Sequence, residues 1–186
     1  MNDLIVFNKP YGVICQFSAH EKHTGLKDYI EAPAFYPAGR LDTDSEGLLL
    51  LTNDGRLQAQ IAEPKHGKKK TYWAQVEGSP DEAKLNLLRN GVDLGDFVTR
   101  PAQVRVLDAG ETDRLWPRNP PIRERKTVPD FWLEITISEG KNRQVRRMTA
   151  KAGYPCLRLV RIAVGRLNIF SLDLAPGEWR FSASKP

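Results

Sequence analysis

The chain has 186 residues, of which 40% are apolar and 27% charged, and a formal net charge of +5. That length supports one full core or two small halves packed together, and no apolar run approaches the roughly 18 to 20 residues of a membrane helix. No basic segment followed by a long apolar stretch opens the chain, so no secretory leader is expected; two distant cysteines, Cys15 and Cys156, fit a reducing cytoplasm.

Taken in order, "DLIVFNKP" and "GVICQF" predict two short strands around a turn at Lys9-Pro10-Tyr11-Gly12. His20 and His23 follow in loop-like sequence with no fourth ligand in view, so no metal site is expected. The segment "GRLDTDSEGLLLLTNDG", Gly39 to Gly55, holds four acidic residues and four consecutive leucines. Leu48 to Leu51 read as a buried strand, and Asp54 as the N-cap of a short helix, "GRLQAQIA". "KTYWAQVEG" alternates as a strand, with Tyr72, Ala74 and Val76 on one face and Trp73, Gln75 and Glu77 on the other. Ser79-Pro80-Asp81-Glu82 predicts a helix start with Ser79 as cap, and the helix ends at Gly91. "AQVRVLD" is a strand; residues 110–130, rich in proline, glycine and charge, predict a long flexible excursion of the kind that closes over a ligand. "DFWLEITISEG" alternates cleanly, with Phe131, Leu133, Ile135 and Ile137 on one side. Asn142 is expected to cap the next helix, which turns Val145 and Met148 inward, and "CLRLVRIAV" and "RLNIFSLDL" close the chain as strands. Strands dominate and helices are scattered without regular βαβ alternation. The expected class is α+β, a largely antiparallel mixed sheet with flanking helices.

The charge is unevenly placed. Residues 1–64 carry five Lys/Arg against nine Asp/Glu, whereas 141–166 carry eight Lys/Arg and no acid. A second basic run, "KHGKKK", ends in Lys68, Lys69 and Lys70. Either run alone reads as a solvated face; together they point to a polyanion, with nucleic acid ahead of a membrane surface because the basic helix is short and has little apolar face. In that helix Arg143, Arg147 and Lys151 recur at every fourth position as one ridge, and Arg146 borders the buried side, from where it can reach a carboxylate. Asp42, Asp44 and Glu46 enter the leucine strand. Asp44 and Glu46 read as solvated loop charge; Asp42, behind Arg40 and Leu41, suggests a fixed backbone. An aspartate used on nucleic acid without a metal acts as a base or attacks an electrophilic carbon. Hydrolysis of a glycosidic bond would need a second acid, for which Asp44 is formally available.

Four blocks in order, "NKPYG", "GRLDTDSEGLLLLTNDG", "KKTYWAQVEG" and "EGKNRQVRRM" with "GYPCLRLVRIAVGRL", resemble the motifs of pseudouridine synthases of the branch that modifies ribosomal RNA. The resemblance covers the chain nearly end to end. It implies a pseudouridine-synthase-like catalytic fold with a central cleft, spanning 1–186 as a single catalytic domain, whether one body or two α/β halves around the cleft. Many relatives carry a small RNA-binding domain before the first motif; this chain starts almost at that motif, so none is expected. The implied reaction cuts the bond between ribose and N1 of uracil, rotates the base and rejoins it through C5, with no cofactor and no metal.

By the same resemblance Asp42 matches the catalytic aspartate, attacking ribose C1′ or the uracil ring or stripping a proton. Tyr72 matches the tyrosine that stacks on the base, Arg146 the cation paired with the aspartate, and Arg40 the side chain that fills the gap when the uridine swings out. Leu159, with Leu157 the other candidate, packs near the base; Lys9 and Pro10 shape the site. Lys68, Lys69, Lys70, Arg143, Arg147, Arg158, Arg161 and Arg166 are expected to contact RNA phosphates, which makes binding salt-sensitive. The expected partner is large-subunit ribosomal RNA, met by a cytoplasmic monomer. Two rivals stand beside this reading: an RNA-binding module with an inactive site, and a nucleoside hydrolase using Asp42 with Asp44.

Overall fold

Leu48, Leu49, Leu50 and Leu51 are all fully buried because their strand runs through the middle of a sheet covered on both faces. In the computed structural model, which describes residues 3–186, this strand is β3 (Glu46–Thr52). Around it lie β1 (Leu4–Lys9), β2 (Tyr36–Ala38), β4 (Lys70–Glu77), β5 (Gln103–Val106), β6 (Asp130–Ile137), β7 (Cys156–Val164), β8 (Leu167–Asn168) and β9 (Trp179–Phe181). The spatial order is β5-β6-β4-β7-β3-β1-β9, with β2 on β3 and β8 on β7. Among the described strands every pairing is antiparallel except one. β3 and β7 run parallel and meet through only two residue pairs, Glu46 with Val160 and Gly47 with Arg161. Beyond them the free edge of β3 pairs with β2, so the two halves of the sheet part at this seam.

The seam dictates a glycine. Gly47 has φ 104°, and a Cβ there would lie 2.3 Å from the backbone oxygen of Arg161. No side chain can be accommodated without pushing the strands apart.

Strand alternation divides the core. Ile5, Phe7, Leu49, Leu51, Tyr72, Ala74, Ile135 and Leu159 face one side. There they meet Leu85 and Leu88 of α2 (Glu82–Asn90) and Val145 and Met148 of α4 (Gln144–Lys151). Val6, Leu48, Leu50, Trp73, Val160 and Ile162 face the other, under Leu57 and Ile61 of α1 (Gly55–Ala62). Each fully buried leucine of β3 contributes about 1.5–3 kcal/mol, so the four leucines weld the two layers together.

The α+β, mostly antiparallel architecture matches the expectation, as do the strands around Leu48 to Leu51, Tyr72 and Leu133, and Asp54 does cap α1 through the amides of Arg56 and Leu57. Four local readings are corrected. "GVICQF" makes only an isolated bridge, Ile14 with Gly25, because Lys9 draws the carbonyls of Pro10 and Val13 onto its amine and curls the chain. Asp81, not Ser79, caps α2; the Tyr154 hydroxyl donates to the Ser79 carbonyl and accepts from the Asp81 amide, moving the helix start two residues on. Asn142 caps nothing, since α4 begins at Gln144 behind Arg143, whose φ is 52°. "RLNIFSLDL" is the two-residue β8 and a turn of helix, α5 (Ile169–Leu172), capped by Asn168.

The excursion opens with α3 (Ala109–Thr112) and is anchored by Leu115 and Trp116, which pack on the face that carries Trp73 and Val160. Its anchored part therefore lies on the opposite side of the sheet from Tyr72 and Leu159. Replacing Gly47 by Ala is expected to destabilise the fold by about 2 kcal/mol or more, through a left-handed φ and a backbone clash together; urea denaturation reads the loss directly.

Candidate active site

The loop that feeds β3 is fastened at both ends. Arg161, almost completely buried, donates to the carbonyls of Gly39 and Leu48, each at 2.8 Å. Between those points Asp42 opens a tight turn, its carbonyl accepting from the Ser45 amide at 3.0 Å. The Thr43 carbonyl accepts from the Gly12 amide at 2.8 Å and from the Lys9 amine at 3.4 Å. Lys9 is wholly buried, donates to Pro10 and Val13 as well, and burial lowers its pKa to about 8. It acts as a clip between the first motif and the aspartate loop.

On the facing side the turn between β6 and α4 is equally fixed. Buried Glu139 accepts from the Arg100 amide and the Gln144 side chain, both at 2.8 Å. Gln144 in turn accepts from the Lys141 amide at 3.2 Å. The chain then enters Arg143 in the left-handed region, which turns that side chain over the aspartate loop. Its guanidinium holds Asp44 at 3.0 and 2.9 Å and lies 3.3 Å from the Asp42 carboxylate. Arg146, one helical turn on, donates to the Asp44 carbonyl at 2.8 Å and lies 3.6 Å from its carboxylate. The expected Arg146–Asp42 pair is thus corrected: the cation beside Asp42 is Arg143, while Arg146 enters beneath the loop and secures Asp44. The Arg143 hydrogen bonds hold the Asp44 carboxyl below its ordinary value, so Asp44 is an ionised tether and not a proton donor at neutral pH.

Asp42 borders a cleft of about 370 Å³ together with Tyr72, Leu159, Lys70, Val145 and Arg143. A second opening of about 560 Å³, lined by Tyr11, Gln16 and His23, shares Asp42, Arg40 and Arg143 with the first. Tyr72 and Leu159 are both buried at the cleft wall. Leu157 instead borders a separate groove with Ile122 and Val128. Arg40 is exposed at the rim of both openings and makes no ion pair among the described residues.

The eight cations expected on phosphates divide sharply. Arg158 lies on the back face of the sheet, buried, with both nitrogens on Glu46 at 2.9 Å and a third bond to the Trp116 carbonyl. Trp116 donates its indole N–H to the same Glu46 at 2.9 Å. Arg158 is therefore a structural cation locking the excursion to the seam, and Arg161 is the loop fastener described above; neither is a surface phosphate contact. Lys70 is also corrected. It shares a face of β4 with Tyr72, is buried, and has its amine inside the cleft. Burial, then the charges of Arg161 and Lys68, lower its pKa from 10.5 to about 8. Arg147 pairs with Asp96 and donates to the Leu94 carbonyl at 3.2 Å. Lys68 and Arg166 donate to the carbonyls of Pro186 and Lys185 at 3.0 and 2.7 Å. Lys69 and Arg143 are exposed.

Sequence reasoning missed the roles of Glu139, Gln144 and the Lys70 amine. Only the last left a signal: Lys70 stands two residues before Tyr72 in an alternating strand, which puts both on one face.

The sequence model of the RNA pseudouridylate synthase family matches residues 3–151. A curated relative from Xanthomonas campestris pv. campestris, named ribosomal large subunit pseudouridine synthase E, is 56% identical over 95% of this chain and 94% of its own length. A relative of the same name from Vibrio vulnificus is 54% identical over 95% of this chain and 74% of its own. Among solved structures, a crystal structure of a pseudouridylate synthase superposes with a TM-score of 0.77 at 29% identity, covering 96% of this chain and 69% of the other.

Two outcomes follow from the buried cations. Arg158→Ala leaves Glu46 buried and unpaired, which is expected to cost about 3–5 kcal/mol in urea denaturation. Lys70 has a folded pKa of about 8 below an unfolded value of 10.5. Between those values the unfolded chain binds more protons, so the cost of burying this cation is full below about pH 8 and fades as pH rises toward 10.5. Lys70→Met should therefore be more stable than wild type at pH 7, with the gap narrowing at about pH 10.

Proposed function

The chain belongs to the RNA pseudouridylate synthase family, whose members are isomerases, and on that premise we propose that it converts a specific uridine of large-subunit ribosomal RNA to pseudouridine with Asp42 as the catalytic carboxylate. The observation that carries this reading is the Asp42 carboxylate at the mouth of the cleft that Tyr72 and Leu159 wall, 3.3 Å from the Arg143 guanidinium. A guanidinium at that distance orients the carboxylate for each of the roles open to it, as nucleophile or as base.

A cleft of about 370 Å³ has the size for one pyrimidine nucleotide, not for a paired stem. The target uridine must leave its stack to reach Asp42, and Arg40, exposed at the rim with no ion pair, suits the vacated position. Tyr72 offers its ring to the base and Leu159 packs against it. Lys69, Arg143 and Lys141 are exposed, the last two at the cleft, and suit phosphate contacts. The catalytic unit is taken as the whole chain, acting as a monomer in the cytoplasm; no helix among the described residues is long and apolar enough to cross a membrane.

The hydrolase reading loses its second acid, because Asp44 is held ionised by Arg143 and tied by Arg146. A binding module with an inactive site has no use for a carboxylate held beside a cation at a cleft mouth.

Incubation with a large-subunit ribosomal RNA transcript carrying tritium at uridine C5 tests the proposal. Wild type should release tritium to water at the modified position while the RNA keeps its mass, and Asp42→Asn should lower the rate by about 10³-fold or more. Retained tritium with wild type, tritium release by Asp42→Asn at an unchanged rate, or free uracil with an abasic site would each refute it.

A further inference from the structure

Lys70 is an anomaly within the cleft. The residue is only 3% exposed, and its amine, open to the cleft, makes no hydrogen bond or ion pair among the described residues. The other buried cations are committed: Lys9 to carbonyls, Arg158 to Glu46, Arg161 to Gly39 and Leu48. The groups around Lys70 add no counter-charge. Arg161 on β7 and Lys68 on the approach to β4 are like-charged neighbours, Ile137 of β6 is apolar, and Gly39 and Gly140 present bare backbone. A Cβ at Gly140 would lie 3.5 Å from the Lys70 amine, and one at Gly39 3.7 Å from its Cε, so the end of this side chain runs close along both glycines. Asp42 across the cleft is engaged by Arg143. A largely desolvated ammonium at a cleft wall, with no protein partner, is stabilised when an anion enters the cleft.

We infer that Lys70 is a catalytic cation that binds the negative charge arising on the uracil ring during isomerisation, an inference that rests on the reading of Asp42 and Tyr72 given above. When the C1′–N1 bond breaks, its electron pair goes to N1 and spreads over O2 and O4; C1′ is left electron-deficient. If Asp42 instead adds to C6 of the ring, the charge resides on C5 and O4, the C1′–N1 bond breaks as C5 takes C1′, and the Asp42–C6 bond then breaks to return the carboxylate. Either way uracil becomes anionic before C5 bonds to C1′, C5 gives up its proton and N1 gains one, so that the overall composition is unchanged. Lys70 and Tyr72 are two residues apart on one face of β4, so a base stacked on the phenol presents its edge to the amine. The same burial argues against a backbone phosphate as the partner, since phosphates follow the open rim where Lys69 and Arg143 stand. A donor preorganised in a water-poor site acts most strongly on charge that develops in the transition state.

The tritium-release reaction under single turnover, with protein in excess, separates the possibilities when paired with filter-binding of the same RNA. Lys70→Met should lower the rate by about 10²-fold or more while RNA affinity changes less than about threefold. Lys70→Arg, which keeps a charge, should recover at least about tenfold of that loss. Wild type should lose rate above about pH 8 as the amine deprotonates, and Lys70→Arg should not. If Lys70→Met fails to fold, Lys70→Gln carries the same expected values. A wild-type rate in the uncharged variant, a loss expressed only in RNA affinity, or no recovery with arginine overturns the inference. Wild type that releases no tritium overturns the underlying reading instead.

Discussion

The two-pair parallel contact between β3 and β7 is the constraint on which the site depends. Antiparallel pairing carries the sheet everywhere else, so the two halves are held together by Glu46 against Val160 and Gly47 against Arg161. One residue set does three jobs at that point. Gly47 allows the strands to touch, Arg161 reaches back to both ends of the aspartate loop, and Glu46 anchors Arg158 and Trp116 on the opposite face. Asp42 stands four residues before the contact, where the halves have begun to part and a cleft can form. A looser seam would leave the carboxylate on an ordinary mobile loop, and orientation of a reacting group is worth several kcal/mol of barrier.

The charges are sorted by what they already hold. A count of eight cations in 26 residues suggests one broad basic surface. The fold spreads them over different tasks: Arg158 and Arg161 are buried in hydrogen bonds, Arg143 and Arg146 manage two aspartates, and Arg147 ties α4 to the loop around Asp96. The cations open to a polyanion are fewer than composition implies, and Lys70 stands apart as the buried one whose charged group has no hydrogen-bond partner among the described residues. Burying it costs stability in full below about pH 8, and the cost fades toward pH 10.5.

Much of this was legible before the fold was known. Period-two alternation groups Tyr72 with Ala74 and Val76, and Leu133 with Phe131, Ile135 and Ile137, and four adjacent leucines announce a buried strand. The ordered motifs directed attention to Asp42 and Leu159. What escaped was geometry with no periodic trace. Nothing in "EGKNRQ" signals that Arg143 adopts a left-handed backbone, yet that conformation decides which guanidinium meets Asp42. Arg158 was grouped with phosphate contacts because charge counting ignores strand parity; its even position beside Val160 puts it on the back face with Glu46. Prolines and charges dominate the excursion and give no sign of its anchors, which include Leu115 packed on the core and Trp116 bonded to Glu46 and Arg158.

The central claim is that the Asp42 carboxylate, positioned at the sheet seam, isomerises a uridine of large-subunit ribosomal RNA. Mapping pseudouridines in that RNA from cells lacking the gene, and again after return of wild type or Asp42→Asn at equal protein levels, tests it most directly. One uridine should stay unmodified in the deletion, regain pseudouridine with wild type and remain uridine with Asp42→Asn. An unchanged map in the deletion, or full restoration by Asp42→Asn, would contradict the account.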